Sequence, residues 1–92
     1  MALDRESVKQ AIRAKVIDLA RALNIDASAI DDADLIPVTG YLDSSAILEL
    51  VVWYETTYGL ALEQAEINID NLGSINAMTE FLLARKGAGT RT

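Results

Sequence analysis

The 92-residue chain contains no cysteine and no histidine. Without cysteine it can build no disulfide framework, no thiolate nucleophile and no cysteine-based metal site. Without histidine it lacks the usual general base and the imidazole ligand, so hydrolytic triads and histidine-rich metal sites are missing their parts. No stretch has the apolar length of a membrane span, and the opening Met1-Ala2-Leu3-Asp4-Arg5 lacks the basic-then-apolar order of a signal peptide, so the expectation is a cytoplasmic protein that does not enter a membrane. Lys and Arg are also absent from a long interval. Every one lies at or before Arg21 or at or after Arg85, and residues 22–84 hold eleven acids, a charge of −11 within a net charge of −6. A field of that sign repels nucleic acid, which needs clustered cations. It attracts partners with basic docking patches, although the same charge also serves solubility alone.

With 51% hydrophobic residues the chain can bury one core of three or four helices, near the small end of what folds unaided, and it has no room for a catalytic domain beside a substrate domain. Val8, Ile12, Val16, Leu19 and Leu23 recur at the three-and-four spacing of one helical face, which predicts a core helix over about Asp4 to Leu23, with small Ala11, Ala20 and Ala22 permitting close packing. Arg5, Lys9, Arg13 and Lys15 fall mostly off that stripe, as on a solvated face. Residues 24–42 form a long connection holding Pro37, the one proline, and Ile25, Ile30, Leu35, Ile36 and Val38 are expected to pin it to the bundle. Its Asp31-Asp32-Ala33-Asp34 run lacks the ligand spacing, glycine and closing glutamate of a calcium loop, so no metal site is expected.

The next helix is expected over Ser44 to Tyr58, opened by Asp43 as a capping residue and closed by Gly59. It carries more apolar residues than one buried face needs. Ile47, Leu50, Val51, Tyr54 and Tyr58 make a core stripe, while Ser45, Leu48 and Val52 fall on another side, and a helix apolar on two sides is either central or has a second partner. Trp53 lies further round, near Ala46 and Glu49, placed either as an interface anchor or packed against the following helix. A connection over Leu60 to Asn68 follows, with a helical turn around Ile67 to Leu72. A last helix begins near Ser74 and carries Ile75, Met78 and Leu82 on one face beside Phe81. Residues 1–86 thus form one domain, and Gly87 to Thr92 reads as a flexible tail.

Asp43-Ser44 is what helix capping alone predicts. The same position sets orphan N–H groups and the positive end of the helix dipole beside the Ser44 oxygen, a setting that also suits a phosphodiester. The run Gly40-Tyr41-Leu42-Asp43-Ser44-Ser45-Ala46-Ile47-Leu48-Glu49-Leu50, continued to Tyr58-Gly59, resembles the attachment site of acyl and peptidyl carrier proteins, in which Asp-Ser opens a hydrophobic helix that ends in an aromatic-Gly pair. Ser45 departs from that pattern, where the family more often has leucine.

The resemblance covers most of residues 4–85 and implies an all-α, acyl-carrier-like bundle of three long helices plus one short helix. It implies that Ser44, beside Asp43, bears covalent 4′-phosphopantetheine installed by a phosphopantetheinyl transferase. The prosthetic thiol would hold a cargo as a thioester while partner enzymes dock on Ser45, Leu48, Glu49, Val52 and Trp53, so the chain is a monomeric carrier and not itself an enzyme. Only Glu49 and Glu55 are acidic between Ser45 and Tyr58, fewer than carriers for fatty-acid synthesis tend to have. The run Asn71 to Met78 resembles carriers for amino acids, including free-standing bacterial aminoacyl carriers loaded by ligases related to tRNA synthetases. An activated amino acid is therefore the expected cargo. A specialised acyl or polyketide carrier is the alternative, and an unmodified acidic helical adaptor uses the same helices and charges.

Overall fold

The computed structural model describes residues 4–87, and every regular element among them is helical. Helix α1 spans Arg5–Ala22, α2 Ile36–Thr39, α3 Ser44–Tyr58, α4 Ile69–Leu72 and α5 Ile75–Leu82. A 3₁₀ turn at Gln64–Glu66 precedes α4, and a π-helical turn at Leu83–Gly87 continues α5. The expected three long helices are present, but two one-turn helices accompany them rather than one. Residues 88–92, which hold most of the expected tail, lie outside the described residues. None of the helices is long and apolar enough to cross a membrane.

Capping residues fix where the long helices start. Asp4 accepts the Ser7 N–H at 3.0 Å and opens α1, Asp43 accepts the Ala46 N–H at 2.8 Å and opens α3, and Ser74 accepts the Ala77 N–H at 3.0 Å and opens α5. α1 buries Val8, Ile12, Val16, Leu19 and Ala20. Leu23, expected on that stripe, instead caps the helix and is 39% exposed, because Asn24 turns left-handed at φ 62° and takes the chain off the core. Against α1 pack α5, through Ile75, Met78 and Leu82, and α3, through Ala46, Leu50 and Tyr54.

The α1–α3 connection is pinned by a different apolar set from the expected one. Ala27, Ile30, Ile36 and Leu42 are buried and Ile25 is half-buried, whereas Leu35 caps α2 in the open and Val38 faces solvent. Polar ties add to this burial. Arg13 donates to the Ile30 carbonyl and the Asp32 carboxylate, Lys9 lies 3.9 Å from the same carboxylate, and the Asp32 carbonyl accepts the Asn76 N–H at 2.9 Å. Asp32 thereby joins the connection to both α1 and α5. The rest of the acidic run closes on its own backbone, Asp31 accepting the Ala33 N–H and Asp34 the Asp31 N–H.

Candidate functional site

Four residues deliver the chain from α2 to the start of α3. Thr39 Oγ1 donates to the Ile36 carbonyl at 2.8 Å and accepts the Tyr41 N–H at 3.2 Å. Gly40 caps α2 at φ 79°, a left-handed conformation that side chains with a Cβ rarely adopt. Leu42 then drops into the core at 4% exposure, which leaves Asp43 extended at the surface. Both oxygen-bearing groups of Asp43 are used by the helix it opens: its carboxylate accepts the Ala46 N–H and its carbonyl the Ile47 N–H at 2.9 Å.

Ser44 is therefore the first residue of α3, and it is exposed. By position, the Ser44 and Ser45 N–H groups have no partner within the helix, and they meet the positive end of the α3 dipole beside the Ser44 hydroxyl. No acid stands in the first turn of α3 itself, and the adjacent Asp43 carboxylate is engaged by the Ala46 N–H. The chain has no histidine to serve as a general base for the Ser44 hydroxyl.

Two apolar surfaces descend from this serine. Ser45, Leu48, Glu49 and Val52 are all exposed on one side of α3, with Leu48 65% and Val52 52% open to solvent. Trp53, grouped with them from the sequence, is half-buried instead: it packs against the core, edge-on to Tyr58 at 5.9 Å between ring centroids. The structure brings four of the five expected docking residues onto one open face, and the fifth closes the bundle beside it.

The second surface was not legible. Ile47 and Val51, three and seven residues after Ser44, form the α3 wall of a groove of about 210 Å³ completed by Pro37, Ile67, Ile69 and Leu72. The groove thus begins one helical turn below the serine. Ile47, expected on the core stripe, packs against the core from its edge. It is only half-buried, because the buried face of α3 is centred on Leu50 and Tyr54 and flanked by Ala46. A signal was present in Ile67-Asn68-Ile69, two large apolar residues with acids and amides on either side, which no helical period explains.

No protein-family model matches the chain, and the curated proteins give no significant match.

Proposed function

We propose that the protein is a phosphopantetheine-dependent carrier, with Ser44 as the attachment residue. The observation that carries this reading is an exposed serine at the first position of a helix whose capping aspartate is engaged by the Ala46 N–H, directly above an open apolar face. In this reading the bundle of α1, α3 and α5, with its one-turn helices in the connections, is acyl-carrier-like. Asp43 fixes the helix start, and the orphan N–H groups of Ser44 and Ser45 stabilise the phosphodiester. Leu48, Val52 and Glu49 form the surface on which a phosphopantetheinyl transferase and later partner enzymes dock, with Trp53 stiffening its edge. When bound, the prosthetic group supplies a thiol that holds the cargo as a thioester. The chain itself positions and is recognised, and performs no acid–base step.

The cargo follows as an activated amino acid, supplied by a tRNA-synthetase-like ligase, from the sparse acids of α3 and the Asn71 to Met78 run. The groove beside Ile47 and Val51 favours a second reading, a specialised acyl carrier, because an apolar chain gains by leaving water there.

Coexpression with a broad-specificity phosphopantetheinyl transferase tests the attachment. Intact mass should rise by one phosphopantetheinyl group, Ser44→Ala should abolish the rise, and Ser45→Ala should keep it. A wild-type chain left unmodified where known carriers convert would overturn the proposal in favour of an acidic adaptor that binds through the same face. Offered ATP, a panel of amino acids and an encoded neighbouring ligase, the loaded protein should accept an amino acid. Malonyl transfer without aminoacylation would select the acyl reading.

A further inference from the structure

Residues 61–71 contain no buried side chain, whereas Leu60 and Leu72 on either side are only 8% and 9% exposed. Ile67 and Ile69 face Ile47 and Val51 across the groove, yet remain 46% and 48% exposed. Leu62 packs partly against the core, but residues 63–71 add no buried apolar side chain, so hydrogen bonds carry much of the segment's placement.

Those bonds divide into two sets. Within the segment, Glu63 and Glu66 form a reciprocal capping box, Asn68 accepts the Asn71 N–H at 2.8 Å, and Asn71 Nδ2 donates to the Glu66 carbonyl at 3.1 Å. These give it a shape of its own. Its ends are tied by the Leu62 N–H to the Glu55 carboxylate at 3.0 Å and by the Gly73 carbonyl accepting the Ile36 N–H at 2.7 Å. Gly73 also lies so close to the Ile69 carbonyl that any Cβ there would collide, which keeps the far end compact.

Between those ends, among the described residues, the side-chain polar tie to the bundle is Arg85, beside the packing of α4 on α5. Its Nη1 donates to Glu66 Oε2 at 2.8 Å, its Nη2 reaches the Ala61 carbonyl at 3.4 Å, and its guanidinium lies 5.6 Å from the centre of the Phe81 ring. The Arg85 and Glu66 side chains are 37% and 30% exposed, against 57% and 58% for the Arg5–Glu80 pair, so solvent screens this ion pair less. Phe81 orients the guanidinium from below, and the π-helical turn that carries Arg85 is a feature often found where a helix performs a task.

We propose that residues 61–71 are a lid over the α3 side of the groove and that the Arg85–Glu66 ion pair is its latch. With the latch broken, the segment loosens between Leu62 and Gly73 as one local unit, opening its short-range hydrogen bonds and uncovering Ile47 and Val51 while the α1–α3–α5 core stays folded. The device works whether or not Ser44 carries a group.

Hydrogen exchange on the full chain tests it. Arg85→Gln and Glu66→Gln should each speed exchange of the hydrogen-bonded amides of residues 66–73 about five-fold, and the double variant no more than either alone, as for the loss of one partly sheltered ion pair. Amides of α1 and α5 should be unchanged, and binding of an apolar fluorescent dye should rise. Raising salt on the wild-type chain should reproduce the same local effect without any substitution. Unchanged exchange over residues 66–73 in both variants and at high salt would overturn the latch. Acceleration shared equally by α1, in the variants and at high salt alike, would overturn the lid as a separate unit.

Discussion

Tyr54 is the largest side chain withdrawn fully from water, and its hydroxyl donates to the Met78 carbonyl at 2.7 Å. That bond joins α3 to α5 at the centre of the core. Burial pushes the phenol well above its ordinary value of 10.0, the nearby Tyr58 adds to the rise, and Arg85 opposes it. A raised pKa means that the folded state keeps the proton after the unfolded chain has lost it. The stability this contributes is full below the unfolded value of about 10 and falls as pH climbs beyond it. Tyr54→Phe removes one neutral hydrogen bond and should cost about 1 kcal/mol near neutral pH. It should also lose less stability than the wild type between pH 7 and about pH 11. Urea denaturation at a series of pH values measures both, and parallel losses above pH 10 in the two proteins would show that Tyr54 is not the titrating group.

Helix α3 was read from the sequence with its observed ends, because Asp43 and Gly59 mark both boundaries chemically, one by a side-chain cap and the other by a left-handed residue at φ 63°. Its rotation about its own axis was less legible. Ile47 and Tyr58, on the expected core stripe with Leu50, Val51 and Tyr54, pack against the core but stay half-buried, and the buried set takes Ala46 beside Leu50, Val51 and Tyr54. A small residue brings α3 close to the bundle at its first turn, and that choice depends on the neighbouring helices rather than on the period of α3 alone. The one-turn helix α2 and the 3₁₀ turn were invisible for a related reason. Ile36 is held by its N–H to the Gly73 carbonyl, a partner far along the chain, and four residues carry no period. The exposed side of α3 was legible as a surplus of apolar residues, and it gives a prediction for the element. Leu50→Asp buries an unpaired charge and should unfold the domain, since the cost of several kcal/mol approaches the whole stability of so small a core. Leu48→Asp and Val52→Asp should melt close to the wild type and impair loading by the cognate enzyme. Circular dichroism melts beside loading assays separate the two classes, and equal melting losses at all three positions would refute the division.

Across the whole molecule the charge pattern of the sequence becomes a pattern of contacts. Cations of the two ends fold onto acids of the middle: Arg5 pairs with Glu80, Arg13 and Lys9 with Asp32, and Arg85 with Glu66. Internal pairing therefore occupies basic groups of α1 and of the C-terminal turn, while Asp43 and Glu49 stay exposed around Ser44. A partner approaching that face meets a negative field with an apolar surface at its centre. On the carrier reading, the field raises the encounter rate with a basic enzyme surface, and the contact with Leu48 and Val52 sets how long the complex lasts. Modification of Ser44 by the transferase should then lose several-fold in kcat/KM when salt is raised from about 20 mM to about 300 mM, because the screening length contracts below the size of the face. The maximal rate should change little. Glu49→Gln should lower kcat/KM at low salt and leave a shallower salt dependence, whereas Leu48→Ala should lower it by a similar factor at every salt concentration. A kcat/KM independent of salt in the wild type would mean that the acidic middle of the chain serves solubility and leaves recognition to the apolar contact alone.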